Sequence, residues 1–308
     1  MKIALTLLTA TAFACLVGVP ASVAAEPAPA AALTPSAPAV KIAEGIYVIE
    51  GNYNSTVALS PVGVIVIDTK PKAQFDNVKA EIGKLSDKPI RFLINTHYHY
   101  DHVDSNAAFR ALGADIVAYK TLAKHMMDPP PNPMTGEPMP KATPEALPTI
   151  TYSGDHAMVR TGDMVADLYH PGSGHTDGDT IVHFAKQNVV VAGDLVGNTY
   201  PNIDVDVGGS IDGTIRGVNK ILSFLDDGSV VVPGHGKVLT KADVLKYREM
   251  LKEARRRIAE AKNKGMTEEQ VLAANLLADL DPAWLGKAPI SKLFPRSVYR
   301  SLPAAPTK

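Results

Sequence analysis

The chain has 308 residues, a formal net charge of −1 and an apolar content of 45%. A charge this close to zero gives no basic footprint for nucleic acid, and the apolar share is that of a globular protein with ample material for a packed core. The single cysteine, Cys15, lies within the leader read below, so the mature chain has neither a disulfide nor a thiolate metal ligand.

Residues 1–25 read as a secretory signal peptide. Lys2 supplies the charged start, Ile3 to Val19 a predominantly apolar stretch, and Val23-Ala24-Ala25 a small-residue exit suited to cleavage before Glu26. The apolar stretch is short for a spanning helix, so the mature protein is expected to be exported, to a bacterial periplasm, with no stable membrane insertion after cleavage. Lipoprotein anchoring through Cys15 is disfavoured, because Ala12-Phe13-Ala14 is a poor match to the small-residue approach to an acylated cysteine. Residues 26–40 are rich in Ala and Pro and read as a flexible lead-in. Residues 41–308 are expected to form one domain, with a catalytic core over about 41–240 and a helical extension over 241–308.

From Ile42 the chain turns β. Ile46 to Ile49 reads as a strand, and Ser55 to Leu59 and Gly63 to Ile67 as a hairpin around Ser60-Pro61-Val62. Asp68 closes the third strand. Phe75, Val78, Ile82 and Leu85 recur at helical spacing, so the pattern predicts a helix over 71–85 with Pro71 near its start. Ile90 to Ile94 is a further strand, Val103 to Leu112 a helix ended by Gly113, and Ile116 to Tyr119 a strand, the alternation of an α/β layer architecture. Residues 128–149 carry a run of prolines that excludes regular structure, in the manner of a binding loop, a lid or a surface insertion. Short strands follow at 150–152, 157–159, 165–169, 180–184, 189–192 and 230–232, with a helix over 210–225. Thr240-Lys241-Ala242-Asp243 and Thr267-Glu268-Glu269-Gln270 resemble helix starts, and Arg255-Arg256-Arg257 reads as a solvated helix face.

The chemistry gathers after the strand at 90–94. His97-Tyr98-His99-Tyr100-Asp101-His102 is an H-x-H-x-D-H pattern of side chains that zinc, iron and manganese accept. In an extended segment His97 and His99 point the same way and can grip one ion, while Asp101 and His102 follow a change of direction and can face a second. Such a site needs partners from elsewhere. His175 in Gly174-His175-Thr176, Asp194 in Ala192-Gly193-Asp194 and His235 in Pro233-Gly234-His235-Gly236 each lie at an apolar run and beside glycine. Asn198 and Tyr200 follow Asp194 and are candidate substrate contacts. His125, His156, His170 and His183 have no motif around them and read as structural, with His170 the nearest to His175, and Asp177 and Asp179 read as turn-shaping.

Over roughly residues 41–240 this set of motifs, in this order, resembles the metallo-β-lactamase superfamily of metallohydrolases. The resemblance implies an αββα sandwich with additional C-terminal helices. It implies two divalent ions, the first on His97, His99 and His175, the second on Asp101, His102 and His235, with Asp194 bridging both and Asp68 supporting the metal loop from behind. Asp68 could equally cap the following helix. Zinc is the default metal for His/Asp ligation, and iron and manganese suit the same donors. The implied activity is a dinuclear metallohydrolase in which a metal-bound hydroxide, oriented by Asp101, attacks an ester, lactone, thioester or amide bond of a small molecule. One β-lactamase branch of the family carries Cys where Asp194 stands and a Lys shortly after it. Here Leu195, Val196, Gly197 and Asn198 follow, and the bridging aspartate is more similar to glyoxalase II and lactonases, although the glutathione-binding residues of the former have no match. A class B-like, promiscuous β-lactamase is the alternative, favoured by export and weakened by the absent Cys and Lys. An iron-dependent oxidoreductase on the same scaffold is a second, and a pure binding module would have no need of every ligand.

Overall fold

The computed structural model describes residues 37–132, 136–287 and 292–304; the leader with Cys15, most of the Ala/Pro-rich lead-in and Pro133 lie outside the described residues. Strands β1 (Ala39–Ala43), β2 (Ile46–Ile49), β3 (Ser55–Ser60), β4 (Gly63–Ile67), β5 (Ile90–Ile94), β6 (Asp115–Tyr119) and β7 (Ile150–Tyr152) lie side by side in chain order in one sheet. Pairing is antiparallel from β1 to β4 and parallel from β4 to β7. Strands β8 (His156–Thr161), β9 (Met164–Tyr169), β10 (Ile181–Phe184), β11 (Val189–Gly193) and β12 (Val230–Pro233) form the second sheet, antiparallel except for the β11–β12 pair.

The side-chain alternation of β4 shows how the layers are built. Ile65 and Ile67 face Leu168, Val182 and Val191 of the second sheet, whereas Val64 and Val66 pack on Val78 and Ile82 of helix α1 (Phe75–Leu85). Short helices α2 (Tyr100–Val103) and α3 (Asn106–Ala111) follow the first sheet's metal-type motif, and Phe109 of α3 joins Val78 in the same outer layer. Beyond β6 comes α4 (Lys120–Met127). The far side of the second sheet, with Ile181, Val190 and Val231, is covered by α5 (Ile211–Leu222) and α6 (Lys241–Asn263), which bring Val218, Ile221, Tyr247 and Leu251. Helices α7 (Glu268–Ala273), α8 (Asp281–Trp284) and α9 (Phe294–Ser301) complete this layer. The result is the expected αββα sandwich, with sheets buried on both faces and therefore apolar on both alternations.

Several boundaries differ from the sequence reading. The helix expected over 103–112 is two short helices, so Asp101 and His102 sit on α2. Strand β1 starts at Ala39, inside the stretch read as flexible, because pairing with β2 holds it. The unforeseen α4 buries Leu122 and Met126 on one face. In its described residues the proline-rich segment is irregular apart from a 3-10 turn at Pro144–Ala146, which its prolines did not exclude, and it is pinned: Ala142 N donates to Met126 O at 2.9 Å, Asn106 Nδ2 to Ala146 O at 3.0 Å and Arg110 Nη1 to Pro144 O at 3.0 Å. Both expected helix starts in the extension are capping boxes, Thr240 with Asp243 and Thr267 with Gln270. Arg255, Arg256 and Arg257 form ion pairs with Asp212, Glu253 and Asp279. No helix among the described residues is long and apolar enough to cross a membrane.

Lys70, just after β4, is almost wholly buried and donates from Nζ to Glu50 O at 2.8 Å. Burial pushes its ammonium down to about 8, against an opposing pull from Glu50. An unfolded lysine titrates at about 10.4, so between about pH 8 and about pH 10 the unfolded chain holds more protons at this residue than the folded one. Stability therefore gains from this group as pH rises through that window. Urea midpoints across the window are expected to climb more in the native protein than in Lys70→Met; parallel pH dependences would refute it.

Candidate metal centre

Strands β4, β5, β11 and β12 deliver their carboxyl ends to one edge of the sandwich, the place where parallel layers present loops to a ligand. The chain leaving β5 carries His97, His99, Asp101 and His102; β11 ends at Asp194, β12 at Gly234-His235, and His175 comes from the loop between β9 and β10. All seven sequence-assigned ligands meet here. Ligand atoms of His97, His99, His175 and Asp194 lie within 4.8 Å of one another, as do those of Asp101, His102 and His235. Asp194 faces both groups: its Oδ2 is 3.6 Å from His175 Nε2, 3.8 Å from His97 Nε2 and 3.2 Å from His235 Nε2, and its Oδ1 is 3.6 Å from His102 Nε2.

Every imidazole is oriented by the nitrogen that points away from the cluster. His97 Nδ1 lies 3.1 Å from Thr96 Oγ1, which itself donates to Asp68 Oδ2 at 2.6 Å. His102 Nδ1 donates to the same Asp68 oxygen at 2.8 Å. His175 Nδ1 donates to Asn202 O at 2.5 Å, and His235 Nδ1 to Asn52 O at 2.8 Å. His99 is turned the other way round. Its Nδ1 faces His175 Nε2 at 2.9 Å and His97 Nε2 at 3.1 Å, while its Nε2 lies 3.0 Å from Asp204 Oδ2. Asp204 also accepts from the Tyr98 hydroxyl. Outer partners of this kind fix ring tautomer and direction. Asp68 thus serves the metal loop rather than capping a helix, and it adopts a left-handed φ of 57° that aims its carboxylate at Thr96 and His102. Asn54 completes the frame by donating to Pro233 O at 2.9 Å and Gly236 O at 2.8 Å, which holds the His235 loop.

The donors fit a pair of cations. His102 Nε2 and Asp194 Oδ1 are buried polar atoms without a hydrogen-bond partner, a costly arrangement unless something cationic completes it. Gly234 leaves the room: a Cβ there would fall on Asp194 Oδ1 and lie 2.7 Å from His102 Cε1. Charge divides the cluster in two. Burial, reinforced by His102 and His175, holds His97 well below the ordinary histidine range, and burial with His99 brings His175 down to about 4, so both rings are neutral lone-pair donors. Burial also opposes the charge on His102, yet Asp101, Asp68 and Asp194 outweigh it and raise its pKa well above the usual value. Asp194 and Asp101 do the same for His235. Burial would raise Asp101 and Asp194, but His102 and His235 keep both ionised. The raised values of His102 and His235 thus mark the part of the cluster whose carboxylates call for positive charge.

Among the weaker candidates, Asn198 is exposed beside Gly236 and lines the cavity above the ligands. Tyr200 lines it too, but its hydroxyl donates to Asp281 at 3.1 Å and its ring stacks on Phe294. His125 pairs with Asp177 at 2.9 Å, His156 with Asp167 at 2.9 Å, and His170 stacks on Tyr119. Asp179 accepts from Thr176 Oγ1 at 2.7 Å and shapes the turn that carries His175. Sequence reasoning missed Asp204, Tyr98 and Asn54, none of which carries a motif of its own.

The model of the metallo-beta-lactamase superfamily matches residues 48–256, more than half of the chain, and the chain belongs to that superfamily of metallohydrolases. It is 28% identical over 144 residues to the metallo-beta-lactamase type 2 of Elizabethkingia meningoseptica, a match covering 46% of this chain and 52% of that protein. It is 26% identical over 193 residues to the alpha subunit of 2,4-dinitroanisole O-demethylase from a Nocardioides strain, covering 61% and 54%. The chain thus spans about half the length of these curated relatives. Among solved structures, a stereoselective inverting sec-alkylsulfatase from Pseudomonas sp. superposes with a TM-score of 0.66 at 16% identity, covering 86% of this chain and 50% of that one. A metallo-beta-lactamase from Pontibacter korlensis does so with a TM-score of 0.56 at 16% identity, covering 70% and 98%. These similarities establish the shared fold.

Two outcomes follow from the geometry. Metal at the Asp101/His102/His235 set must displace protons from His102 and His235, so its affinity falls as pH falls; the neutral His97 and His175 impose no such competition. Zinc titrations at about pH 8 and about pH 6 are expected to show a larger loss of affinity at the Asp101/His102/His235 set than at the set containing His97 and His175; an equal loss at both would contradict the charge division. Asp204→Asn is expected to weaken the site containing His99 by about 10- to 100-fold in chelator competition, leaving the other site unchanged.

Proposed function

We propose that the protein is a dinuclear metallohydrolase, with zinc as its metal, that cleaves an acyl-type bond of a small molecule: an ester, lactone, thioester or amide. The observation that carries this reading is Asp194, whose carboxylate faces both ligand groups, Oδ2 towards His97, His175 and His235 and Oδ1 towards His102. His97, His99 and His175 would hold one ion and Asp101, His102 and His235 the other, with Asp194 shared. Divalent ions held there supply an acidified water and an electrophile for the carbonyl oxygen.

The chain's own residues do the rest. Asp101, ionised beside His102 and His235, has its Oδ2 3.2 Å from His235 Nε2 and is placed to orient the attacking water and take its proton. The Asp68–Thr96–His97 and Asp204–His99 hydrogen bonds hold the ligand rings still, so that little reorganisation is needed during turnover. Asn198, exposed at the cavity wall, is available to hydrogen-bond the substrate. Export of the mature chain to the periplasm, with residues 1–25 as the leader, belongs to the same proposal.

β-Lactam hydrolysis is the second reading, favoured by the similarity to the Elizabethkingia enzyme and weakened by the run Leu195-Val196-Gly197-Asn198, which offers no cation to a drug's carboxylate. A panel of a chromogenic cephalosporin, aryl esters, a lactone and a thioester separates the two readings. The expected result is chelator-sensitive turnover of esters or lactones with kcat/KM of about 10⁴ M⁻¹s⁻¹ or more, and a cephalosporin rate well below it. Asp194→Ala and His97→Ala are each expected to abolish turnover. A cephalosporin rate in the enzyme range, lost in Asp194→Ala, would instead establish β-lactam hydrolysis, and unchanged turnover in either variant would refute the site.

A further inference from the structure

Four residues of the ligand cluster, His99, Asp101, Asp194 and His235, line a cavity of about 940 Å³, near the top of the roughly 300–1,000 Å³ range of small-molecule sites. The cavity has both a polar and an apolar part to its lining. Close to the ligands the wall is polar, formed by Asn52, Asn198 and Asn202, two of which are tied to the ligand loops through their carbonyl groups. The wall contributed by α2, α3, α4 and the proline-rich segment is mostly apolar, with Lys72, Asp104, Lys141 and Thr143 among its polar members. Val103, Ala107 and Ala108 contribute from α2 and α3, Met126 from α4, and Met139 and Ala142 from the proline-rich segment. This apolar wall is built into the fold. Val103 and Met126 belong to one buried cluster, Ala142 packs against it, and the Ala142–Met126 and Asn106–Ala146 hydrogen bonds hold the segment in place.

Cleavage of one acyl bond involves only a few atoms at the ligands, so the remaining volume belongs to the rest of the substrate. A lining of alanine, valine, methionine and proline gains from contact with hydrocarbon and leaves a polar group without a partner. We propose that the substrate is amphipathic: a polar, hydrolysable head at the ligand cluster and a medium-length or long hydrocarbon chain lying between α3, α4 and the proline-rich segment. The inference rests on the hydrolase reading for the bond that is cut, but the chain preference belongs to the wall alone. The described wall residues of this stretch, Met139 and Ala142 among them, thereby act as the specificity element of the site.

The test uses the zinc-loaded mature protein and p-nitrophenyl esters from acetate through butyrate and octanoate to dodecanoate, each below its solubility limit. A fully buried methylene corresponds to about a fourfold gain, so kcat/KM is expected to rise at least about tenfold from acetate to octanoate. Met139→Glu and Ala108→Trp alter the wall by charge and by filling, and touch no metal ligand. Each is expected to lower the octanoate-to-acetate ratio of kcat/KM by at least about tenfold. A dansyl-labelled undecanoic acid provides a readout free of turnover. It is expected to bind the native protein and Asp194→Ala alike, and to bind both wall variants more weakly. Ester turnover that is flat with chain length, or a probe that fails to bind, would overturn the inference. Probe binding weakened by the wall variants, without hydrolysis of any ester, would support the apolar wall while refuting the acyl-bond reading.

Discussion

Five imidazoles and two carboxylates share one small, partly buried space at the edge of the sandwich, and the surrounding structure is arranged to tolerate that crowding. Nitrogen lone pairs aimed at one another, and carboxylates withdrawn from water, are unfavourable unless charge and hydrogen bonds compensate them. Asp194 lies where the two groups of ligands meet, so its negative charge serves both. The chain accommodates it by leaving a side chain off position 234 and by turning sharply at Gly193, where φ is 52° and a Cβ would lie 2.7 Å from Thr96 Oγ1.

Orientation is the other half of the design. Asp68 reaches two ligands at once, His102 directly and His97 through Thr96, from a strained backbone position. Asp204 does the corresponding work for His99, while Asn202 and Asn52 use backbone carbonyls for His175 and His235. The loop from residue 197 to residue 210 therefore borders the cavity and also braces the histidine cluster. One part presents Asn198 to the cavity, and another fixes His99 and His175 from behind.

Much of this was legible in the sequence because the signals are local. The spacing of His97, His99, Asp101 and His102 is a property of six consecutive residues, and the strands showed themselves as short apolar runs ending at Asp68, Asp194 and His235. The illegible parts depend on partners far along the chain. Asp204 meets His99 across 105 positions, and Asn54 meets the His235 loop across 179 and 182. Neither has a neighbour in sequence that marks it. Tyr98 passed for a spacer within the motif, yet its hydroxyl belongs to the Asp204 network. Helix α4 was missed because its eight residues bury only Leu122, His125 and Met126, and the break between α2 and α3 because the surrounding composition is equally helical throughout.

Both ligand groups draw from both sheets. His97, His99, Asp101 and His102 follow β5 of the first sheet, whereas His175, Asp194 and His235 belong to loops of the second. Each cation would therefore tie the two layers together at the edge where the apolar interior gives way to loops. Whatever ions bind selectively to this folded arrangement stabilise it by mass action, so folding and metal uptake share one equilibrium. The sandwich would then depend on metal supply for its durability as well as its chemistry, and in metal-poor surroundings its open edge would be the first part to come apart.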